Sequence, residues 1–314
     1  MAKFCEFTFP SSDGQHQIYC SQWLPDEGQP KAVVQIVHGI SEYVGRYDRL
    51  ARFLADHGYA VCGEDHLGHG RTGKQDGSFG VFARRGGWEL VTSDVRTLRQ
   101  MMGEKFPNLP YFLLGHSMGS FLARTHLIRY PGTVDGAIIM GTGQMSGLLV
   151  AGGKLVANLE AMRLGEGSAS PLISKLSFHT YNKVFAPNRT AFDWLSVNED
   201  NVDWYINHPL CGGNPTTGLF REMLGGIAFI KKPANVAKMA KNTPILFISG
   251  AMDPVGDCSK GVRRAFESFR RAGMQDISLQ FYPGLRHEIL CEANRQEIFH
   301  DILVWLESKL PTAP

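Results

Sequence analysis

Hydrophobic residues along the chain fall into short continuous runs that alternate with longer, helix-spaced patterns. The run from Lys31 to Val37 is β-branched and too short for a helix, so it predicts a strand buried on both faces. A helical pattern follows over 46–57 and ends at Gly58, a residue typical of helix C-termini. The same alternation predicts strands at 59–64, 111–115, 136–141, 244–250 and 277–282, and helices at 88–106, 118–130, 257–272 and about 293–309. Strands alternating with helices indicate an α/β fold, with a mostly parallel sheet covered on both faces.

Two segments depart from this alternation. Residues 4–9 and 17–23 predict two strands around the polar turn 11–14. Residues 144–243 form a stretch far longer than the roughly 30 residues of a strand-helix-strand unit. This stretch has short helix-like patterns and many aromatic side chains, so we expect a folded helical lid, called the cap, inserted into a core of residues 1–143 and 244–314.

Composition and charge exclude several classes of protein. Of the 314 residues, 43% are hydrophobic and 20% charged, which is ordinary for a globular protein. The formal net charge of +2 leaves no broad basic face, so a nucleic-acid partner is not expected. No stretch nears the roughly 20 apolar residues of a membrane helix, and a charge near the start argues against a signal peptide. We therefore expect a cytoplasmic protein; the oligomeric state stays open.

The six cysteines lie far apart and form no Cys-x-x-Cys pair. This spacing predicts reduced packing thiols rather than a zinc ribbon or a disulfide scaffold. Cys258 is the one best placed to be a reactive thiol near a site. His66 and His69 are three residues apart, but no further ligands recur at metal spacing, so we expect a structural turn there and no metal site. The chain also has no phosphate cradle or nicotinamide fingerprint, so no cofactor is expected.

The strongest chemical signal lies where the strand at 111–115 runs into the helix at 118–130. There the sequence Gly115-His116-Ser117-Met118-Gly119 matches the pattern Gly-x-Ser-x-Gly. Small residues on both sides permit a tight, strained turn that pushes the serine hydroxyl out at the top of the sheet. A serine in an ordinary loop is the alternative, but the strand-turn-helix context favours a nucleophile.

A serine nucleophile needs a histidine base and an acid that holds it, and in such folds both follow the serine in the order acid, histidine. Asp253 and His287 each come just after a predicted strand and fit that order. Among the rivals, Asp257 is expected inside a helix, Glu288 adjoins His287 too closely, and His300 lies within the last helix. The alternative without a catalytic role is that Asp253 caps a helix and His287 is a solvated loop residue.

The segment from His38 to Glu42 ends the first parallel strand and is the natural source of an oxyanion donor. A tetrahedral intermediate places negative charge on the former carbonyl oxygen, so two fixed amides must point at it. We assign these donors to the backbone N–H groups of Ile40 and Met118.

Taken together, these motifs resemble the monoacylglycerol lipase and lysophospholipase group of α/β hydrolases. The matching pieces, in chain order, are His38–Glu42 with Gly45–Tyr47, Asp65–Gly70, Gly115–Gly119, Asp253–Gly256 and His287–Glu288. Two cap segments are similar to those of bacterial members: Phe192–Ser196 and His208–Gly212. The resemblance implies the α/β-hydrolase fold, with no cofactor and an acyl ester or lipid as substrate.

The resemblance also implies roles for individual residues. Ser117 would be acylated, His287 would carry the proton and Asp253 would fix His287. Two backbone amides, those of Ile40 and Met118, would form the oxyanion hole. Three further residues would be substrate-binding: Glu42, Arg46 and His116. Of these, Glu42 and Arg46 match positions near the alcohol end of the pocket, although either could instead brace the loop.

Three functions are weighed on this basis. The leading hypothesis is a carboxylic ester hydrolase that acts on acyl esters of glycerol or related lipids through an acyl-enzyme. An aminopeptidase of the same fold is the second, with cap carboxylates Glu199, Asp200 and Asp203 holding the substrate amine. A binding protein without turnover is the third. Apolar residues over 145–159 could rest on a lipid surface, but amphipathic helices more often pack on the protein itself.

Overall fold

A computed structural model describes residues 2–83 and 85–311, with the backbone alone for Asp76. In this part of the chain, eight strands form one sheet in the order β1-β2-β4-β3-β5-β6-β7-β8. The strands are β1 Lys3–Pro10, β2 Gln17–Leu24, β3 Ala32–Val37, β4 Tyr59–Glu64, β5 Tyr111–His116, β6 Gly136–Met140, β7 Ile245–Gly250 and β8 Ile277–Tyr282. Strands β1 and β2 pair antiparallel and β2 pairs antiparallel with β4, whereas the neighbours from β4 to β8 are parallel. The predicted α/β fold is confirmed.

Helices flank this sheet and build the segment between β6 and β7. They are α1 Asp48–Asp56, α2 Gly70–Asp76, α3 Gly87–Lys105, α4 Met118–Arg129, α5 Gly147–Leu164, α6 Pro171–Leu176, α7 Phe178–Lys183, α8 Glu199–Asn207, α9 Thr217–Ile230, α10 Pro233–Val236, α11 Lys260–Arg271 and α12 Arg295–Ser308. Short 3-10 helices span Val44–Tyr47 and Ile289–Cys291. Within the described ranges, every helix is too short or too polar to cross a membrane.

The two faces of the sheet are buried in separate hydrophobic clusters. Along β3, Val33 and Val37 pack into the cluster that contains α3, α4 and α11 residues, while Val34 and Ile36 pack into the cluster with α1 and α12. This alternation follows from the two-residue period of a strand. Because both faces are covered, the β3 sequence is apolar apart from Gln35, whose buried side chain is hydrogen-bonded to the Val95 carbonyl and the Tyr111 hydroxyl.

Helices α5 to α10 lie between β6 and β7, in the stretch where the sequence predicts the cap. Helix α5 packs against α9, and α9 also contacts α4 and α3 beneath it. The cap has apolar clusters of its own, one around Ile173 and Phe220 and one around Trp194 and Tyr205. The cap therefore packs directly above α4, the helix that follows Ser117.

One local prediction is wrong, and one helix was missed. Helix α11 begins at Lys260 rather than 257, because Asp257, Cys258 and Ser259 all have positive φ angles of 52°, 45° and 77°. Asp257 therefore lies before the helix and not inside it. The polar helix α2 was not predicted at all, since it has no apolar period to reveal it. Its first turn is held by Asp65, whose Oδ2 accepts from the Arg71 N–H.

Candidate active site

Ser117 occupies the tight turn between β5 and α4. Its backbone has φ 53° and ψ −120°, a sparsely populated conformation for a residue with a side chain. The turn closes so tightly that a Cβ at position 119 would lie 1.9 Å from the Val37 carbonyl oxygen, and one at position 115 would lie 2.5 Å from the Gly119 carbonyl oxygen. Only glycine fits at these two positions, which is the physical reason for the Gly-x-Ser-x-Gly pattern.

Asp253 and His287 meet at the same edge of the sheet, after β7 and β8. The His287 Nδ1 lies 2.9 Å from Asp253 Oδ2, and both side chains are buried. The Val255 N–H donates to Asp253 Oδ1 at 2.9 Å and the Ser249 hydroxyl approaches Oδ2 at 3.3 Å, so the carboxylate is fixed on both oxygens. With Nδ1 donating to Asp253, the Nε2 of His287 is the nitrogen left to accept a proton.

The rival acids have other partners, and the rival histidine lies on the surface. Asp257 pairs with Arg264 in an exposed position, and His300 is exposed on α12. The Glu288 carboxylate binds the guanidinium of Arg46 instead of the ring of His287. Of the candidates weighed from the sequence, Asp253 is thus the carboxylate that contacts His287 Nδ1.

Ser117 lies where two cavities join. The larger cavity, of about 470 Å³, runs under α5 and α9 and has an apolar lining. The smaller chamber, of about 80 Å³, has a mixed lining in which aromatic side chains such as Phe192 and Tyr205 accompany the polar ones of Ser117, His287, Glu42, His116 and Glu288. It is called the polar chamber after these charged and hydrogen-bonding groups, which the larger cavity lacks apart from Ser117. Four residues border both spaces: Ile40, Ser117, Phe178 and Trp194. A substrate bound across Ser117 would therefore place an apolar part on one side and a polar part on the other.

Both residues predicted as oxyanion donors line the larger cavity beside Ser117. Met118 is the first residue of α4, so its N–H has no partner within the helix. In the described part of the chain, the N–H groups of Met118 and Ile40 have no backbone acceptor. Two free amides next to a serine hydroxyl can bind a developing oxyanion.

A buried network of charges supports the polar chamber from behind. Glu42 Oε1 accepts from the Gly39 N–H at 2.6 Å and from the Tyr47 hydroxyl at 2.8 Å, and His116 Nδ1 lies 3.1 Å away. Arg46 binds Glu42 Oε2 and forms a fork with both oxygens of Glu288. Arg46 also links this network to the cap, because its Nη2 donates to the Oδ1 of Asn201 on α8 at 3.2 Å.

Opposite charges keep this network ionised although it is buried. Burial alone would raise the pKa of Glu42, but the His116 hydrogen bond and the charges of His116 and Arg46 hold it well below its usual value. Burial would likewise raise the pKa of Glu288, and Arg46 lowers it. Burial would lower the pKa of His116, but its contact with Glu42 raises that pKa overall. Both carboxylates are thus anionic at neutral pH.

Of the three residues expected to bind substrate, two line the polar chamber and Arg46 does not. Glu42 and His116 line the polar chamber, but their side chains are already engaged in the network. Arg46 lies behind the chamber and braces the loop after β3, the second of the two options that the sequence left open. Sequence reasoning missed Glu288 as a partner of Arg46 and Asn201 as its contact in the cap. No motif signals a pairing across 242 residues.

The cap carboxylates and Cys258, also singled out from the sequence, lie outside the two cavities. On α8, Glu199 and Asp200 are exposed and Asp203 is half-buried; Glu199 and Asp203 both face Arg189. None of these three is among the described residues that line either cavity. Cys258 is exposed, and its sulfur approaches the Met252 carbonyl.

The fold and this arrangement define a class. A serine at a strained strand-to-helix turn above a parallel sheet, with an aspartate and a histidine on later strand ends, is the architecture of the α/β hydrolases. A family model described as serine aminopeptidase, S33, matches residues 28–294, and the chain belongs to that family of hydrolases.

Comparisons with known proteins agree with this assignment. The chain is 28% identical to human monoglyceride lipase over 96% of its own length and 90% of that protein. It is 27% identical to a monoacylglycerol lipase of Mycolicibacterium smegmatis over 97% of its own length and 98% of that protein. Among solved structures, a thermostable carboxyl esterase from Bacillus coagulans in complex with glycerol matches with a TM-score of 0.91 at 27% identity, covering 99% of this chain and 100% of that one. The chain is an enzyme, and the sequence-based prediction of a serine hydrolase is confirmed.

Proposed function

We propose that the enzyme hydrolyses esters that join a long acyl chain to a small polar alcohol, such as monoacylglycerols, through Ser117, His287 and Asp253. One observation carries the proposal: Ser117 borders both a large apolar cavity and a small chamber that contains the side chains of Glu42, His116 and Glu288. The names of the human and mycobacterial relatives, and the glycerol in the Bacillus coagulans esterase, support the same substrate class.

The chemistry runs in two halves. His287 Nε2 takes the proton of the Ser117 hydroxyl while Oγ attacks the ester carbonyl, and Asp253 stabilises the imidazolium that forms. The amides of Ile40 and Met118 bind the oxyanion of the tetrahedral intermediate. This intermediate collapses to an acyl-enzyme, and the alcohol leaves with the proton from His287. Water then repeats the sequence, releases the acid and restores Ser117.

The cavities assign the two halves of the substrate. An acyl chain in the apolar cavity gains about 0.8 kcal/mol for each buried methylene, so longer chains bind better until the space is filled. The polar chamber, at about 80 Å³, suits a small hydroxylated alcohol and excludes a second acyl chain. Preference for monoesters follows from this difference in size.

The wall of the apolar cavity is also part of the surface, which supports pick-up of substrate from a lipid interface. Leu148 and Leu149 on α5 line the cavity, yet Leu148 is 88% exposed. Further exposed apolar side chains continue along α5 and α6: Leu155, Leu159, Met162, Leu172 and Leu176. An apolar surface of this kind around a cavity wall marks an interaction site.

A substrate series tests the proposal. We expect kcat/KM for monoacylglycerols to increase with acyl length and then level off, with slow cleavage of diacylglycerols. Amino-acid amides should be cleaved poorly, because Glu199, Asp200 and Asp203 lie away from the cavities. Faster release from amino-acid amides than from any ester would instead favour an aminopeptidase, the activity that the family description names.

A further inference from the structure

His38 follows β3 and is completely buried. Both nitrogens of its ring are engaged by the main chain. The Nδ1 lies 2.7 Å from the carbonyl oxygen of Gly39, and the Nε2 lies 3.1 Å from the backbone nitrogen of His66. A carbonyl oxygen only accepts and a backbone N–H only donates, so Nδ1 carries the hydrogen and Nε2 accepts. The contacts therefore select the neutral Nδ1–H tautomer.

The surroundings hold the ring in this state. The His38 ring stacks on that of His66, with centroids 3.9 Å apart, and His66 Nε2 lies 3.2 Å from the His38 carbonyl oxygen. Burial lowers the pKa of His38 well below its usual value, and the neighbouring His66 and His69 lower it further. His38 is consequently neutral at neutral pH, with one donor and one acceptor in fixed positions.

The peptide that His38 holds is the one that carries an oxyanion donor. The carbonyl of Gly39 and the N–H of Ile40 belong to a single planar unit, and this peptide is trans, so the two groups point in opposite directions. Holding the carbonyl oxygen therefore also aims the N–H. A rotation of this unit by about 180° would turn a carbonyl oxygen toward the oxyanion and replace attraction by repulsion.

We propose that His38 is a positioning residue for the oxyanion hole: its Nδ1–H anchors the Gly39–Ile40 peptide so that the Ile40 N–H points at the carbonyl oxygen of the substrate. His38 is not among the described residues that line either cavity, so it acts through the peptide and touches no substrate. Its hydrogen bond also polarises the peptide, because hydrogen bonds in a chain strengthen one another. This inference rests on the proposed ester hydrolysis at Ser117.

Two matched substitutions separate the two hydrogen bonds of the ring. His38→Asn places an amide N–H near the position of Nδ1 and keeps a donor for Gly39. His38→Gln reaches toward the position of Nε2 and loses that donor. We expect kcat to fall about a hundredfold in His38→Gln with little change in KM, and by less than about tenfold in His38→Asn. Affinity for an alkyl boronic acid, which forms a tetrahedral adduct with the serine, should fall in step with kcat.

The outcomes of this comparison are distinct. Equal losses in the two variants at equal melting temperature, or a loss confined to KM, would overturn the role of His38. Wild-type protein that cleaves no ester would overturn the proposed function instead. Binding of a non-hydrolysable ether analogue of a monoacylglycerol should be unchanged in both variants, since it forms no oxyanion.

A measurement on the wild-type enzyme tests the inference without substitution. In ¹⁵N-labelled protein, the nitrogen resonances of His38 should show a protonated Nδ1 and a bare Nε2. The boronic acid should move the Nδ1–H proton downfield, because the Gly39 carbonyl becomes a stronger acceptor once the Ile40 N–H binds the adduct. The ether analogue should leave that proton in place. A protonated Nε2, or the same response to both ligands, would refute the proposal.

Discussion

The two walls of the active site are held in place in different ways. The wall built by the sheet is polar and buried, and its side chains hold one another through the hydrogen bonds among Glu42, Arg46, His116 and Glu288. The wall built by the cap is apolar, and several of its side chains, such as Leu148 on α5, are also open to solvent. Directional contacts fix single positions, whereas apolar packing tolerates exchange of groups of similar volume.

This difference predicts a division of labour. Changes in the sheet wall should affect the rate on every ester or the stability of the whole molecule. Changes in the cap wall should affect which esters are preferred and where they are encountered. Each substitution is paired with a control variant, so that the measurements can contradict this difference between the two walls.

The largest effect is expected at Ser117. Ser117→Ala removes the nucleophile, and we expect kcat to fall by about 10⁴-fold or more on all esters, short or long. The control is Ser120→Ala on α4, which removes only a hydroxyl that donates to the Ser117 carbonyl and should retain activity within about tenfold. Turnover of p-nitrophenyl esters and labelling by a fluorophosphonate measure both. Near wild-type turnover in Ser117→Ala would show that another residue is acylated.

The second effect concerns stability and the link between the two walls. Arg46→Met leaves Glu288 buried without its countercharge and leaves Glu42 with His116 alone, and breaking a buried pair in this way typically costs about 3–5 kcal/mol in the free energy of unfolding. It also removes the contact with Asn201 in the cap. The control is Arg189→Met, which breaks an exposed pair with Asp203 and should change urea unfolding little. Equal urea midpoints for the two variants would mean that the buried network adds nothing to the free energy of unfolding.

The sequence predicts features that depend on local patterns along the chain, and it does not predict contacts that arise only from packing. Strand β5 and the turn at Ser117 were predictable because a strand buried on both faces reads as one apolar run, and the tight turn permits only glycine at 115 and 119. Asp253 and His287 were found because parallel strands end at one edge. The pairing of Arg46 with Glu288 was not predictable, since it joins residues 242 apart and follows from packing alone. The polar helix α2 has no apolar period to reveal it.

The third effect is expected in the cap wall. Gly152 on α5 lines the apolar cavity, and a Cβ placed there meets no heavy atom within 4 Å. Gly152→Leu should fill cavity space, so that long acyl chains lose room for about two methylenes, worth roughly 1.6 kcal/mol or about tenfold in kcat/KM. Esters of short acids should be unaffected. Gly152→Ala is the control, because it removes the helix penalty of glycine while filling little space. A parallel loss on short and long esters would contradict the assignment of this cavity to the acyl chain.

The smallest effect tests whether the exposed face of the cap meets lipid. Leu159 and Met162 on α5 are exposed and are not among the described residues that line the apolar cavity. In the double variant Leu159→Ser/Met162→Ser we expect affinity for phosphatidylcholine vesicles to fall about tenfold, because two apolar side chains can no longer be buried in the lipid. Hydrolysis of water-soluble p-nitrophenyl butyrate should not change. Val304→Ser on α12 is the control, since Val304 is 53% exposed, close to the 55% of Leu159, but lies on the core. A similar loss of vesicle binding in this control would show that the contact is not specific to the cap, and unaltered binding in the double variant would remove the lipid-facing role of α5.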